Sequence, residues 1–151
     1  MEQNLIATNK MARHRYEILE TLEAGIELKG SEVKSLRSHH ADLRDSYARI
    51  DKGEIYLHEL YISPYEKSTY DAPDPRRSRR LLIHKAQINK LVGKVQQRGY
   101  TIIALQLYFN ARGKAKVELA IARGRKLYDQ REKIREKESQ MQLRKAKSFR
   151  R

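Results

Sequence analysis

The sequence predicts a mainly β fold, namely an OB-type antiparallel β-barrel of about six strands with peripheral helices and a basic C-terminal tail. Three observations lead to this prediction. Apolar and polar residues alternate along several short segments, one longer segment has helical apolar spacing, and the composition changes near residue 123. Short antiparallel strands with one inserted helix are typical of small barrels, among which the OB type is common.

The first predicted element is a long strand, or two joined strands, over residues 16–28. Its apolar residues share one parity: Tyr16, Ile18, Leu22, Ala24, Ile26 and Leu28. A period of two over this length is typical of a half-buried strand. Glu20 interrupts the apolar row, which predicts a bulge or bend beside it. Gly30 and Ser31 then end the strand, and we expect Ser31 to be the N-cap of a short helix through Arg37.

A hairpin follows, with strands over residues 47–50 and 55–62. Its predicted turn spans residues 51–54, where Gly53 tolerates a positive φ. Residues 63–79 contain all three prolines together with several Ser and Asp residues, which predicts a long loop.

The second half of the chain predicts one helix and two strands. Residues 82–98 have an apolar stripe at helical spacing, and Gly99 is placed to end that helix. Residues 101–109 and 115–121 read as the last two strands, joined by a turn over residues 110–113.

The composition divides the chain into a barrel domain, residues 1–122, and a basic tail, residues 123–151. The tail holds 12 Lys and Arg against 4 Asp and Glu, which is +8 of the total charge of +14. Leu127, Ile134 and Met141 are spaced seven apart, but three apolar residues do not offset the entropy of ordering this segment. We predict a tail that is disordered in the free protein and helical when bound RNA neutralises it. A tail that stays solvated is the alternative.

The charge predicts a polyanionic partner. The 151 residues include 33 Lys and Arg against 19 Asp and Glu, and this charge repels itself without a polyanion. A membrane partner is not expected, because the longest apolar run, residues 102–105, is far shorter than the roughly 20 residues of a span. Residues 1–11 lack an apolar stretch of signal-peptide length, and cysteine is absent, so we expect a cytoplasmic protein.

Two local basic clusters are candidate RNA-binding sites. The first comprises Arg76, Arg77, Arg79 and Arg80, whose guanidinium groups suit phosphate binding and stacking on bases. A solubilising loop is the alternative. The second precedes the first strand near the predicted barrel mouth and includes Lys10, Arg13, His14 and Arg15. A fraying terminus is the alternative there. Lys114 and Lys116 are weaker candidates when judged by position alone.

The sequence offers no support for catalysis, a cofactor or a metal site. The five histidines lack metal-ligand spacing with a carboxylate, and nucleophile-elbow, P-loop and dinucleotide motifs are missing. Asp42 and Asp45 suit cap or loop positions better than an acid–base couple. We therefore expect a binding protein and not an enzyme. An RNA-processing enzyme would need a constellation that this sequence does not contain.

Seven short motifs, in order along nearly the whole chain, resemble the small protein B family. They are Ala12-Arg13-His14, Leu22-Glu23-Ala24-Gly25-Ile26, Gly30-Ser31-Glu32-Val33-Lys34-Ser35-Leu36-Arg37, Asp45-Ser46-Tyr47, Ile62-Ser63-Pro64-Tyr65, Asp74-Pro75-Arg76-Arg77 with Arg79-Arg80-Leu81-Leu82, and Gly124-Arg125-Lys126-Leu127-Tyr128-Asp129. Each motif is weak alone, but the ordered set is specific. Two departures are Gln130, where the family usually has Lys, and His39-His40 in place of a common Gly-Lys pair.

The resemblance implies a monomeric cytoplasmic protein that binds the tRNA-like domain of transfer-messenger RNA (tmRNA). It implies delivery of that RNA to stalled ribosomes for trans-translation, with alanyl-tmRNA carried by elongation factor Tu as an indirect partner. The barrel would stand in for the missing anticodon stem. The tail would fold as a helix in the empty mRNA channel, against 16S and 23S rRNA. A general RNA-binding or ribosomal protein with the same barrel is the alternative.

The resemblance also implies roles for individual residues. Glu23, Leu82 and Lys116 match positions that the family uses to contact the RNA, although Leu82 reads from the sequence alone as a core residue at a helix start. The tail residues that match the decoding-centre and mRNA-channel segment are Gly124, Arg125, Lys126, Tyr128, Asp129, Arg131, Lys133 and Met141.

Overall fold

The computed structural model describes residues 4–65, 73–96, 99–124 and 141, and this part of the chain forms nine strands and three helices. The strands are β1 (Asn4–Thr8), β2 (Tyr16–Ile26), β3 (Ala41–Asp42), β4 (Tyr47–Asp51), β5 (Glu54–His58), β6 (Tyr61–Ile62), β7 (Arg79–Leu82), β8 (Tyr100–Phe109) and β9 (Ala115–Gly124). The helices are α1 (Ala12–Arg15), α2 (Gly30–Arg37) and α3 (Lys85–Val95).

Six antiparallel strands close into a ring in the order β8-β4-β5-β7-β2-β9, because β9 pairs back with β8. The strand β1 pairs with residues 106–109 of β8, beyond the short stretch of β8 that pairs with β4. The strands β3 and β6 form a separate two-stranded sheet. The predicted mainly β barrel of about six strands with peripheral helices is therefore confirmed.

Period-two alternation along the strands gives the barrel its apolar interior. The fully buried aliphatic side chains include Ile55, Leu57, Leu81, Ile102, Leu107, Val117 and Leu119. The helices α2 and α3 add Leu36, Ile88 and Leu91 to this core. A smaller cluster lies outside the ring, where Ala12 of α1 packs against Ile103, Leu105, Ala120 and Ala122.

Two local predictions are confirmed by the register of the strands. The pairing of β2 with β9 shifts between Ile18 and Glu20, so the predicted bulge is present there. The turn between β4 and β5 has positive φ at both Lys52 (51°) and Gly53 (79°). This backbone is the type I′ geometry that suits the twist of a two-residue hairpin.

Several predicted boundaries are wrong. Residues 55–62 are not one strand, because Glu59 has a φ of 64° and the chain turns there before Tyr61 and Ile62 pair with β3. Ser31 is not the N-cap of α2; that position is Lys29, whose backbone N–H donates to Glu32 Oε1 at 2.9 Å.

The region between the prolines and α3 also differs from its prediction. Residues 79–82 form β7 rather than the end of a loop and the start of a helix, and α3 begins at Lys85. The elements β1, α1 and β3 were not predicted from the sequence. No helix within the described ranges is both long enough and apolar enough to cross a bilayer.

Candidate nucleic-acid interface

Three adjacent strands, β7, β2 and β9, form an open groove on the outside of the barrel. Gly25 of β2 lies opposite Leu82 of β7 on one side and opposite Lys116 of β9 on the other. Directly opposed residues of antiparallel strands project from the same face. The groove measures about 390 Å³, and its lining includes Glu23, Gly25, Arg80, Leu82, His84 and Lys116.

Gly25 shapes the floor of this groove because it has no side chain. A Cβ atom added at Gly25 would lie only 3.2 Å from the Cβ of Leu82. The glycine therefore leaves space for Leu82 beside the strand, and half of Leu82 is exposed. The expectation from the sequence alone that Leu82 is a core residue at the start of a helix is wrong, since it projects outward from β7.

Glu23 is held at the edge of the groove by Tyr108 of β8. The Tyr108 hydroxyl donates a hydrogen bond to Glu23 Oε2, and Tyr108 lies directly opposite Lys116. Burial, together with the adjacent Glu23 carboxylate, raises the pKa of Tyr108 well above its ordinary value. The hydroxyl therefore stays protonated and keeps donating. Glu23 keeps a second oxygen that can accept from a base amino group.

The predicted exposed cluster of four arginines does not exist as a unit. Arg79 is fully buried, and its Nε donates to Glu32 Oε2 at 2.7 Å. Arg77 is three-quarters buried, and its Nε donates to the same carboxylate at 3.2 Å. The prediction that Arg79 belongs to an exposed cluster is therefore wrong. The anion that neutralises these arginines is Glu32 of α2 and not a ligand.

The buried arginine ties together segments that are distant in sequence. Arg79 Nη1 donates to the Leu60 carbonyl at 2.6 Å, and Nη2 donates to the Pro75 carbonyl at 3.0 Å. Burial opposes ionisation of Glu32, but hydrogen bonds from Arg77, the Lys29 backbone and Arg79 outweigh it, so the pKa of Glu32 falls below its ordinary value. This cluster is structural.

The two remaining arginines of the cluster are exposed and lie apart. Arg80 projects into the groove, where its Nε donates to Glu54 at 3.2 Å. Arg76 is outside the groove lining, with its guanidinium 5.3 Å from the centre of the Tyr61 ring and 3.6 Å from Glu59. Arg80 is thus the member of this cluster that shares the surface of Lys116.

The sequence and the fold are similar to those of known proteins. A family model described as SmpB protein matches residues 6–149 of the chain. The chain belongs to the SmpB protein family. It is 55% identical to the SsrA-binding protein of Caldicellulosiruptor bescii over 141 residues. This alignment covers 93% of this chain and 89% of the relative. It is 56% identical to the SsrA-binding protein of Thermus thermophilus over 126 residues, an alignment that covers 83% of this chain and 88% of the relative.

The SmpB family fold is also seen in a solved structure. A chain in the structure described as "tmRNA-SmpB: a journey to the center of the bacterial ribosome" matches with a TM-score of 0.65 and 55% identity, covering 82% of each chain. The resemblance to small protein B is thereby confirmed. The family match extends beyond Gly124 into the basic tail.

The other candidate residues of this SmpB family member are separated from the groove. Arg13 and His14 are exposed on α1, next to the start of β2, where Tyr16 pairs with Gly124. Gly124 is eight residues beyond Lys116 along β9, a distance of about 26 Å at the usual strand rise. Arg13 and His14 therefore flank the point where the tail begins, and they do not line the groove.

The remaining predicted positions divide in the same way. Lys114 is exposed just before β9, two residues from Lys116. Met141 is exposed, and the other predicted tail residues lie outside the described residues: Arg125, Lys126, Tyr128, Asp129, Arg131 and Lys133. Within the described ranges, no group of three or more His, Cys, Asp or Glu is placed to hold a metal ion.

Proposed function

We propose that this SmpB family member binds the tRNA-like domain of tmRNA and delivers it to stalled ribosomes for trans-translation. The observation that carries the proposal is the groove over β7, β2 and β9. It brings Glu23, Leu82 and Lys116 together on one outer face, although they are widely separated in sequence. The relatives named SsrA-binding protein and the similar chain in the tmRNA-SmpB structure support the same RNA and the ribosome as partners.

The groove has the chemistry to hold a folded RNA without acting on it. Lys116 supplies an ammonium group for a phosphate or a base acceptor, and Glu23 supplies an acceptor for a base amino group. Leu82 offers an exposed apolar surface against a ribose or a base. Arg80 is already paired with Glu54, so it contributes less than Lys116 to the salt-dependent part of binding.

The two ends of the barrel have different tasks in this proposal. The groove binds the tRNA-like domain, so that residues 1–122 stand in for the missing anticodon stem. The tail, residues 123–151, enters the empty mRNA channel, and Arg13 and His14 lie at the end of the barrel from which it departs. Elongation factor Tu meets the chain indirectly, through alanyl-tmRNA. Because the ribosome is the partner, the protein acts in the cytoplasm.

The first experiment is competitive binding of the tRNA-like domain against bulk tRNA over a salt series. We expect a strong preference for the tRNA-like domain that persists at physiological salt. Equal and steeply salt-dependent binding of both RNAs would instead mean that the +14 charge accounts for the affinity. A general RNA-binding protein would then be the better description.

A pair of variants tests the groove itself. Lys116→Ala should weaken binding of the tRNA-like domain by about 1–3 kcal/mol if Lys116 contacts a base, or lower the salt slope by about one if it contacts phosphate. Lys10→Ala removes the same charge between β1 and α1, outside the groove lining, and should change neither quantity. An unchanged affinity and slope for Lys116→Ala would remove this residue from the interface.

Truncation after Gly124 tests the division between barrel and tail. The shortened protein should bind the tRNA-like domain almost as tightly as the full chain, because the groove is intact. It should fail to support tagging on stalled ribosomes, measured as peptide tag added in a reconstituted translation system. Loss of RNA binding to the same extent as tagging would contradict the proposed division.

A further inference from the structure

A second outer face of the barrel carries aromatic and basic side chains, of which only Arg80 also lines the groove. On β4, β5 and β7, the pairing register places Tyr47 opposite His58, Arg49 opposite Tyr56, and Tyr56 opposite Arg80. All five side chains project outward, because their neighbours Ala48, Ile55, Leu57, Arg79 and Leu81 are buried. We call this face the platform, and it consists of the side chains of Tyr47, Arg49, Tyr56, His58 and Arg80.

Tyr56 lies at the centre of the platform, and its two cross-strand neighbours are arginines. Arg49 flanks it on β4 and Arg80 flanks it on β7. No stacked ring or cation contact of the Tyr56 ring is found among the described residues, and the side chain is partly exposed. One flat apolar surface is therefore available between two cationic groups.

The neighbouring row adds a second aromatic surface. The rings of Tyr47 and His58 are stacked with centroids 5.2 Å apart and planes inclined by 29°. The guanidinium of Arg49 lies 5.6 Å from the centre of the Tyr47 ring, and His58 Nδ1 is hydrogen-bonded to Ser78 Oγ at 2.8 Å. These contacts hold the three groups in fixed positions, so little side-chain entropy is lost when a ligand binds there.

Arg49 identifies the charge of the partner. Within the described residues it makes no ion pair with a carboxylate, in contrast to Arg80, which pairs with Glu54. An anionic group beside Arg49 would therefore gain a charge-assisted contact without displacing an internal partner. Rings that stack on bases, next to cations that bind phosphates, are the usual combination for single-stranded nucleic acid.

We propose that this platform, centred on Tyr56, binds unpaired nucleotides of an RNA strand. A base stacks on Tyr56, the adjoining phosphates lie beside Arg49 and Arg80, and a neighbouring base reaches the Tyr47–His58 pair. The platform shares β7 and Arg80 with the groove, so an RNA seated in the groove can continue onto it. The inference rests on the proposed function only for the identity of that RNA, and the stacking chemistry stands without it.

The test measures binding of an oligouridylate of about eight nucleotides, a length within the usual site size of a single OB barrel. An abasic oligonucleotide of equal length carries the same phosphates without bases. We expect Tyr56→Thr to weaken oligouridylate binding about tenfold and to leave abasic binding within about twofold, because only base stacking is lost. Tyr56→Phe keeps the ring and should bind like the wild type.

Tyr61→Thr is the matched control. Tyr61 also has an arginine over its ring, Arg76 at 5.3 Å, but it lies on the separate sheet of β3 and β6. This variant should bind oligouridylate like the wild type. Equal weakening by Tyr61→Thr and Tyr56→Thr, or no weakening by Tyr56→Thr, overturns the proposal.

A measurement on the unaltered protein guards against a variant that fails to fold. Photocrosslinking of the full chain with a 5-iodouridine oligonucleotide, followed by peptide mass spectrometry, should identify Tyr47, Tyr56 or His58. Crosslinks confined to other residues overturn the proposal.

Two further titrations of Tyr56→Thr identify the source of the strand. Weaker binding of the tRNA-like domain points to tmRNA, and weaker binding of ribosomes alone points to ribosomal or messenger RNA; both support the platform. Lys116→Ala should weaken binding of the tRNA-like domain and leave binding of oligouridylate unchanged. A failure of the groove proposal and a failure of the platform proposal therefore give different results.

Discussion

Replacing Glu32 by Gln isolates the charge of the carboxylate that neutralises the fully buried Arg79 and the partly buried Arg77. Glutamine has nearly the same shape and can still accept from the Lys29 backbone N–H that Glu32 caps at 2.9 Å. It cannot pair electrostatically with Arg77 and Arg79. Arg79, which is fully buried, would then keep only backbone carbonyl acceptors, such as those of Leu60 and Pro75.

The expected loss of stability follows from this arrangement. Removal of one partner from a buried ion pair typically costs about 3–5 kcal/mol. The carbonyl acceptors around Arg79 partly replace the lost carboxylate, so we expect a value near the lower limit, about 3 kcal/mol. Since a domain is stable by only about 5–15 kcal/mol, this loss is a large fraction of the total. With a urea m-value of about 2 kcal/mol per molar, the midpoint should fall by roughly 1.5 M.

Urea denaturation followed by far-UV circular dichroism measures this change, with Asp45→Asn as the control. Asp45 forms an exposed ion pair with Arg15 at 3.3 Å, and its positive φ of 63° is tolerated by Asn. Loss of such a surface pair should change the free energy of unfolding by only about 0–1 kcal/mol. If Glu32→Gln and Asp45→Asn shift the midpoint equally, the buried charge network does not stabilise the fold as argued.

Three more outcomes are expected. The pKa of Glu32 is held below its ordinary value of 4.5, so its ionised form stabilises the fold above that pH. The difference in urea midpoint between the wild type and Glu32→Gln should therefore shrink as the pH falls below 4.5. Gly25→Ala should leave the free energy of unfolding within about 1 kcal/mol but weaken tRNA-like domain binding in a filter assay, since the new Cβ displaces Leu82; unchanged affinity would mean that Leu82 is not a contact. Tyr108→Phe removes the donor to Glu23 and should lower RNA affinity less than Lys116→Ala does, and a larger effect would make Tyr108 itself a contact.

The alternation of apolar residues was sufficient to predict five of the six strands of the ring, but not β7 or the other short elements. The strand β7 was missed because it has only four residues and two of them are arginines, so the inward position of Arg79 reads as polar surface. Its burial depends on Glu32, 47 residues away, and no local pattern indicates that partner. The break at Glu59 was missed for a similar reason, because a positive φ at a glutamate has no signature in the sequence.

The resemblance to a known family predicted three residues of the groove, but the sequence did not predict that they lie side by side on one surface. Glu23 by itself resembles a solvated strand carboxylate, and Leu82 by itself resembles a core residue. What unites them is the register of β2 with β7 and β9, which sets Gly25 between Leu82 and Lys116. Register is a long-range property, and a slip of one residue would move all of these side chains to the other face.

The long pairing of β2 with β9 has a mechanical consequence. The two strands are hydrogen-bonded from Gly25 and Lys116 to Tyr16 and Gly124, with the bulge between Ile18 and Glu20, and a ladder of this length resists stretching along the strands. One end carries the groove, and the other is the point from which the last 27 residues depart. The distance between a ligand bound in the groove and a partner bound to those residues near Gly124 is therefore set by the length of the strands, about 26 Å. The barrel works as a spacer whose length is set by the number of residue pairs along it.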